Sequence, residues 1–347
     1  IGSGPFIFDK DAWVPGSKVV YRKNTAYVPR SEPASYAAGG KRVHVDTVEW
    51  IYIPDAATTM NALVAGEIDF WESPAVDLVP SMEGNADITI KVIDPLGTQG
   101  WLRPNHLNPP FDNPKARQAL THMVNQEDYL RAIIGDEKFW STCPAYFMCG
   151  TPLDTDIGSE ALVKQDLEKA KALLKEGGYN GETLILMDPT DIPVLHGASL
   201  VTAQMLRDIG AKVEVQAMDW STLTSRRAER KSIADGGWNI FHTYSTGADV
   251  SSPIANIGIS GGCVEKAWFG WPCDRDGPDS LEGLRDAFSE ESDPAKQKAI
   301  ATKLQARAYE VVPYVNYGQW FQPTAYRSTL KGVLISPVPF FWNIELN

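Results

Sequence analysis

Hydrophobic and polar positions fall into alternating and helical stretches that succeed one another along the chain. Residues 1–28 carry extended segments around turns, and Val19-Val20-Tyr21-Arg22-Lys23-Asn24 alternates into a turn residue, as a strand does. A loop rich in Pro, Ser, Ala and Gly follows at 29–42. Val45 to Pro54 alternates through Val48, Trp50 and Tyr52 and predicts a strand. Ala56 to Ala65 predicts a helix ended by Gly66, and Ile68-Asp69-Phe70-Trp71 a short strand. The Gly, Pro and Asn of 98–113 predict a passage between two lobes. One helix is expected from Pro114 to Gly135, with Ala116, Ala119, Leu120, Met123 and Val124 on its apolar face.

Further on, strand and helix alternate. Helices are predicted at Asp166 to Gly177, Ala198 to Ile209 and Trp220 to Lys231. Strands are predicted at Thr183 to Met187, Ala211 to Ala217 and Trp238 to Tyr244. This order argues an α/β lobe. Two more helices are expected at Pro278 to Ser289 and Pro294 to Glu310, then short strand-like pieces from Val312 to Asn347. The chain shows no internal repeat and no low-complexity segment.

A length of 347 residues exceeds what one compact core usually holds, so two lobes are expected. A formal charge of −12 and a pI near 4.9 argue against a nucleic-acid surface, which needs clustered Lys and Arg. The densest basic run, Arg226-Arg227-Ala228-Glu229-Arg230-Lys231, suits a solvated helix face. Eleven Trp, twelve Tyr and twelve Phe exceed ordinary core needs and suit a cleft that grips flat or apolar ligand parts. No apolar run approaches the roughly 18 residues of a membrane span.

Four cysteines pair by proximity, Cys143 with Cys149 and Cys263 with Cys273, each closing a short loop of Gly, Pro and aromatics. Disulfides in an oxidising compartment fit this arrangement. Zinc is the competing reading, weakened by spacings other than C-x-x-C and by scarce His nearby. Tyr146 and Phe147 in the first loop, and Trp268, Phe269 and Trp271 in the second, suit either a cleft rim or a stapled surface loop packing its own aromatics.

Motifs for catalysis are missing. None of His44, His106, His122, His196 and His242 lies in H-E-x-x-H or a triad context. No P-loop and no helix-opening G-x-G-x-x-G occurs, so no cofactor is expected, and no dedicated His cluster offers a metal site. A hydrolase built on carboxylates from two lobes is the one enzymatic alternative.

Three segments carry a resemblance. They are the opening Ile1-Gly2-Ser3-Gly4-Pro5-Phe6, the run Asn105-His106-Leu107-Asn108-Pro109-Pro110-Phe111-Asp112-Asn113-Pro114-Lys115-Ala116-Arg117-Gln118-Ala119-Leu120, and Trp238-Asn239-Ile240-Phe241-His242-Thr243-Tyr244-Ser245-Thr246-Gly247-Ala248-Asp249-Val250-Ser251-Ser252-Pro253. Ile53-Pro54-Asp55-Ala56-Ala57-Thr58-Thr59 followed by Gly66-Glu67-Ile68-Asp69 adds a fourth. Together they resemble the extracytoplasmic solute-binding proteins of family 5, which serve dipeptide, oligopeptide and nickel ABC importers.

The resemblance implies an α/β, two-lobe periplasmic-binding-protein type II fold. In the family the Gly-x-Gly-Pro-Phe turn lies well inside the chain, so part of the first lobe is expected to be missing here. The implied lobes are 1–102 with a return at 313–347, and 103–312. Ligand would bind between lobes, a hinge would close, and a membrane permease would recognise the closed form. A monomeric, periplasmic or otherwise extracytoplasmic component of an ABC importer for a peptide or other small amine-bearing solute is implied. A sensor or scaffold of the same fold, without transport, is the alternative.

In peptide-binding members an Asp after the hydrophobic strand meets the ligand ammonium, which here points to Asp249, flanked by Tyr244 and Thr246. The competing role for Asp249 is a turn or helix cap before Pro253. Thr190 and Asp191 follow a predicted strand, where open α/β sheets bind ligands. Dipeptide binders carry an Arg nearby for the ligand carboxylate, whereas this chain has Val194-Leu195-His196-Gly197. Trp101 and Arg103 lie at the presumed lobe passage. Trp101 completes the expected ligand contacts, and Arg103 suits a cross-cleft ion pair or a strand cap.

Overall fold

The structure, a computed structural model, describes residues 2–263 and 270–346. It divides into two compact units, Ile1–Gly97 with Phe321–Asn347, and Thr98–Trp320.

In the first unit β1 (Phe6–Phe8), β2 (Lys18–Lys23) and β3 (Thr47–Ile51) form an antiparallel sheet in that order. Then come α1 (Ala56–Ala65), β4 (Phe70–Trp71), α2 (Val79–Met82) and β5 (Ile88–Val92). Local chemistry sets the bounds of α1. Asp55 accepts the Thr58 amide at 2.7 Å at its start, and Gly66 takes the left-handed conformation at its end (φ 78°).

The second unit runs through β6 (Thr98–Pro104), α3 (Pro114–Met123), α4 (Gln126–Ile133), β7 (Trp140–Ser141), α5 (Glu160–Val163), α6 (Leu167–Glu176), β8 (Thr183–Pro189) and α7 (Pro193–Asp208). It continues with β9 (Lys212–Met218), α8 (Trp220–Arg226), β10 (Ile240–Thr246), α9 (Gly247–Val250), α10 (Leu281–Glu290), α11 (Pro294–Val311) and β11 (Val315–Trp320). Its six-stranded sheet has the order β7-β11-β6-β10-β8-β9. Strand β8 is parallel to β9 and β10, while β6 is antiparallel to β10 and β11. The chain then returns to the first unit, where β12 (Pro323–Arg327) inserts between β4 and β5, and β13 (Leu330–Lys331) pairs with β14 (Glu345–Leu346).

Several sequence expectations are corrected. Residues 98–104 are no passage but a central strand, buried from Gln99 to Pro104. The units accordingly part at Gly97/Thr98 and Trp320/Phe321, not at 102/103 and 312/313, because β6 and β11 pair inside the second unit. The single helix expected over 114–135 is two. Val124 is extended, and Asn125 starts α4 by accepting the Glu127 amide at 3.1 Å. The helix expected to reach Lys231 stops at Arg226.

Disulfides join Cys143 to Cys149 (2.10 Å) and Cys263 to Cys273 (2.11 Å). Neither reading of the aromatics in the first loop survives. Tyr146 and Phe147 are buried in the main core of the second unit, and Tyr146 Oη donates to the carbonyls of Tyr314 (2.8 Å) and Ala308 (3.2 Å). Trp271 is likewise buried, 6.0 Å from the Trp238 ring, while Trp268 and Phe269 lie outside the described residues.

Candidate functional site

The ends of β8, β9 and β10 lie on one edge of the second unit, and register shows what else shares it. Pro189 pairs with Met218, and Thr246 with Thr98. Thr98 also pairs with Trp320, so the chain enters and leaves the unit on the edge where β10 ends. Ligands of open α/β sheets bind beyond such strand ends.

Asp249 is exposed in α9 and held by its own turn. Thr246 Oγ1 donates to Asp249 Oδ2 at 2.9 Å and accepts the Asp249 amide at 3.3 Å. Ser245 Oγ donates to the same Oδ2 at 3.4 Å. Thr246 is therefore the N-cap of α9, its hydroxyl accepting the Asp249 amide. It orients the Asp249 carboxylate through one oxygen and leaves the group at the surface. Tyr244, 45% exposed, meets the edge of the Trp320 ring at 5.8 Å.

Thr190 and Asp191 are both exposed and stitch the two parallel strand ends together. The Thr190 amide donates to the Met218 carbonyl at 3.0 Å, and Asp191 Oδ1 accepts the Trp220 amide at 2.8 Å. Trp101 does not join this edge, which corrects the expected ligand contact. It is 1% exposed in the core, its Nε1 donating to Gln99 Oε1 at 3.0 Å. Arg103 is equally buried. Its Nη1 donates to the Gly258 carbonyl at 2.8 Å, and its guanidinium lies over the Trp101 and Tyr314 rings. Burial lowers its pKa to about 9.

Sequence reasoning missed a pair here. Asp188, buried at the end of β8, places both carboxylate oxygens 2.9 Å from His196 Nδ1 in the first turns of α7. The His196 side chain is 39% exposed. A buried carboxylate requires a partner, and this one holds the imidazole so that Nε2 faces away from it. The signal available beforehand was an acid at a strand end with a His early in the next helix.

His242 lies two residues before Tyr244 and is fully buried, which pushes its imidazole down to about 3. Burial first, then the charges of Arg117 and Arg103, also hold His106 well below the usual range. A depressed imidazole stabilises the fold above its unfolded value near 6.5, and that stability fades as pH falls toward the folded value. His242 alone is expected to withdraw about 2 kcal/mol between pH 7 and pH 5. Urea unfolding of the wild type and of His242→Gln at both pH values checks this, and equal losses in the two proteins would refute it.

Solved structures that share this fold include a periplasmic binding protein and a dipeptide-binding protein. The ABC transporter-associated periplasmic binding protein DppA of Helicobacter pylori, in complex with the peptide STSA, superposes with a TM-score of 0.79 at 23% identity over 99% of this chain and 63% of its own. A dipeptide-binding protein from Pseudoalteromonas with Met-Leu also gives 0.79, at 18% identity over 99% and 64%. The model of the bacterial extracellular solute-binding proteins, family 5 (middle), matches residues 1–267, and the chain belongs to that family. A Sinorhizobium fredii relative, named a probable peptide ABC transporter periplasmic-binding protein, is 38% identical over 99% of this chain. The chain spans 65% of that relative's length.

Proposed function

We propose that this chain is the substrate-binding part of an ABC importer, working outside the cytoplasm as a monomer without catalysis. It captures a peptide-like or other amine-bearing solute at the strand-end edge of residues 98–320 and delivers it to a membrane permease. The observation that carries this reading is Asp249, an exposed carboxylate held by the hydroxyl of the capping Thr246 at the end of β10. A fixed carboxylate is a natural anchor for an ammonium group. Tyr244, Thr190 and Asp191 supply further surface on the same edge, and His196 offers an imidazole where dipeptide binders carry arginine. The relatives support the same ligand class, since the Sinorhizobium fredii relative is named a probable peptide ABC transporter periplasmic-binding protein and DppA was solved in complex with a peptide.

Native mass spectrometry of the protein purified gently from its host is the direct test, and a co-purifying peptide is expected. Asp249→Asn keeps an acceptor for Thr246 and removes the charge. It is expected to weaken binding of that peptide at least ~30-fold, about 2 kcal/mol. Unchanged affinity would remove Asp249 as the amine anchor. A bound sugar or opine would keep the capture role and discard the peptide.

A further inference from the structure

A chain of hydrogen bonds runs through the core directly beneath the proposed edge. Tyr129 Oη lies 2.6 Å from Thr202 Oγ1, which lies 2.8 Å from His242 Nε2. His242 Nδ1 lies 3.3 Å from Ser199 Oγ, and Ser199 Oγ is 2.9 Å from the Leu195 carbonyl. All four side chains are buried, Tyr129 on α4, Ser199 and Thr202 on α7, His242 on β10.

Only one placement of protons satisfies every member. A carbonyl can only accept, so Ser199 donates to Leu195 and has no proton left for the imidazole. His242 Nδ1 must therefore carry the proton, and Ser199 Oγ accepts it. A neutral imidazole protonated at Nδ1 has a bare Nε2, so the Thr202 hydroxyl donates there. Thr202 then accepts from Tyr129. The chain is directional and ends on the carbonyl of Leu195, next to His196.

Apolar contacts between a helix and a sheet are not directional, and they tolerate small shifts of one along the other. A buried polar network with every group satisfied admits one arrangement. His242 and Tyr244 share a face of β10, because alternate residues of a strand point the same way. We propose that His242 is a positioning residue, held as the neutral Nδ1–H tautomer, which pins the middle of α7 to β10 and so sets the spacing between His196–Asp188 and Tyr244–Asp249. The pin stands on hydrogen bonds alone. Its importance for solute capture rests on the function proposed above.

Two measurements on the full chain test it. Long-range proton–nitrogen correlation spectra of protein labelled with ¹⁵N-histidine are expected to show His242 with a protonated Nδ1 and a bare Nε2 at pH 7. An Nε2–H tautomer or an imidazolium would overturn the assignment. In hydrogen exchange, His242→Leu is expected to speed the amides of 195–199 about tenfold while those of α11 change less than about threefold. His242→Gln offers Oε1 to Thr202 in place of Nε2 and is expected to restore exchange to within about threefold of wild type. Equal acceleration in α7 and α11, or none in either, would show no positioning role. Should His242→Leu fail to fold, the wild-type tautomer decides together with Thr202→Val, which removes the donor to His242 Nε2 and is expected to speed the amides of 195–199 about tenfold with those of α11 changed less than about threefold. A protein with this tautomer and exchange pattern that binds no peptide would discard the solute reading and leave the pin intact.

Discussion

Trp101→Ala is expected to lower the stability of the second unit by about 4 kcal/mol while leaving the affinity of folded molecules for solute unchanged. The indole is buried and stacks on Tyr314 with ring centroids 4.6 Å apart. Its Nε1 donates to Gln99 Oε1, which also accepts from Tyr314 Oη at 2.9 Å, and Gln99 Nε2 donates to the Ala145 carbonyl at 3.0 Å. Truncation therefore opens a cavity and unsettles a buried amide that bridges three segments. Urea unfolding followed by fluorescence gives the first quantity, and titration of the co-purified solute gives the second. A variant of wild-type stability with weakened binding would return Trp101 to the ligand surface.

The second large effect is expected next door. Gly100→Ala would place a Cβ 2.0 Å from Tyr317 Cε2 and 2.5 Å from its Cδ2, on a strand where the backbone is paired on both sides. The tyrosine ring has little room to retreat. It is buried, stacked on Tyr129 at 5.1 Å and on Trp320 at 6.4 Å, and its hydroxyl donates to the Thr243 carbonyl at 3.2 Å. A loss of about 3 kcal/mol is expected, at the upper end of ordinary overpacking. Gly4→Ala is the control, since a Cβ there meets nothing within 4 Å, and its stability is expected to stay within about 0.5 kcal/mol of wild type. Similar unfolding curves for the two variants would contradict the tight fit of β6 against Tyr317.

Elements with local causes were legible in the sequence. Helix α1 begins at its Asp55 cap and ends at Gly66, as read, and α6 starts from Asp166, which accepts the Lys169 amide at 2.9 Å. Strand β6 was not legible, because Gln99 and Arg103 look like surface residues. Their partners, the carbonyls of Ala145 and Gly258, lie far away in the chain. The break between α3 and α4 has a similar origin. Gln126, the first residue of α4, donates from Nε2 to the carbonyls of Cys143 and Asn316, contacts that only the folded sheet supplies.

Near the candidate site, the strand end that carries Tyr244 and Thr246 was legible, because a hydrophobic strand runs into a polar turn there. The capping role of Thr246 follows from its spacing to Asp249, three residues on. Asp188 and His196 could each be seen, but not as a pair, since a turn and the start of a helix bring them together. Trp101 was misplaced with its strand: once residues 98–104 were taken for a passage, an indole there looked available to a ligand.

The register partnership of Thr98 with Trp320 has a consequence for how this polypeptide can be taken apart. Facing residues of an antiparallel pair lie about 5 Å apart, so the two ends of 98–320 are neighbours. A stretch whose ends nearly touch behaves as an insert: a hairpin-length bridge can close it, or it can be cut out and produced alone. Residues 98–320 should then behave as a self-standing cassette that can be moved between hosts of related fold with its candidate edge still in place.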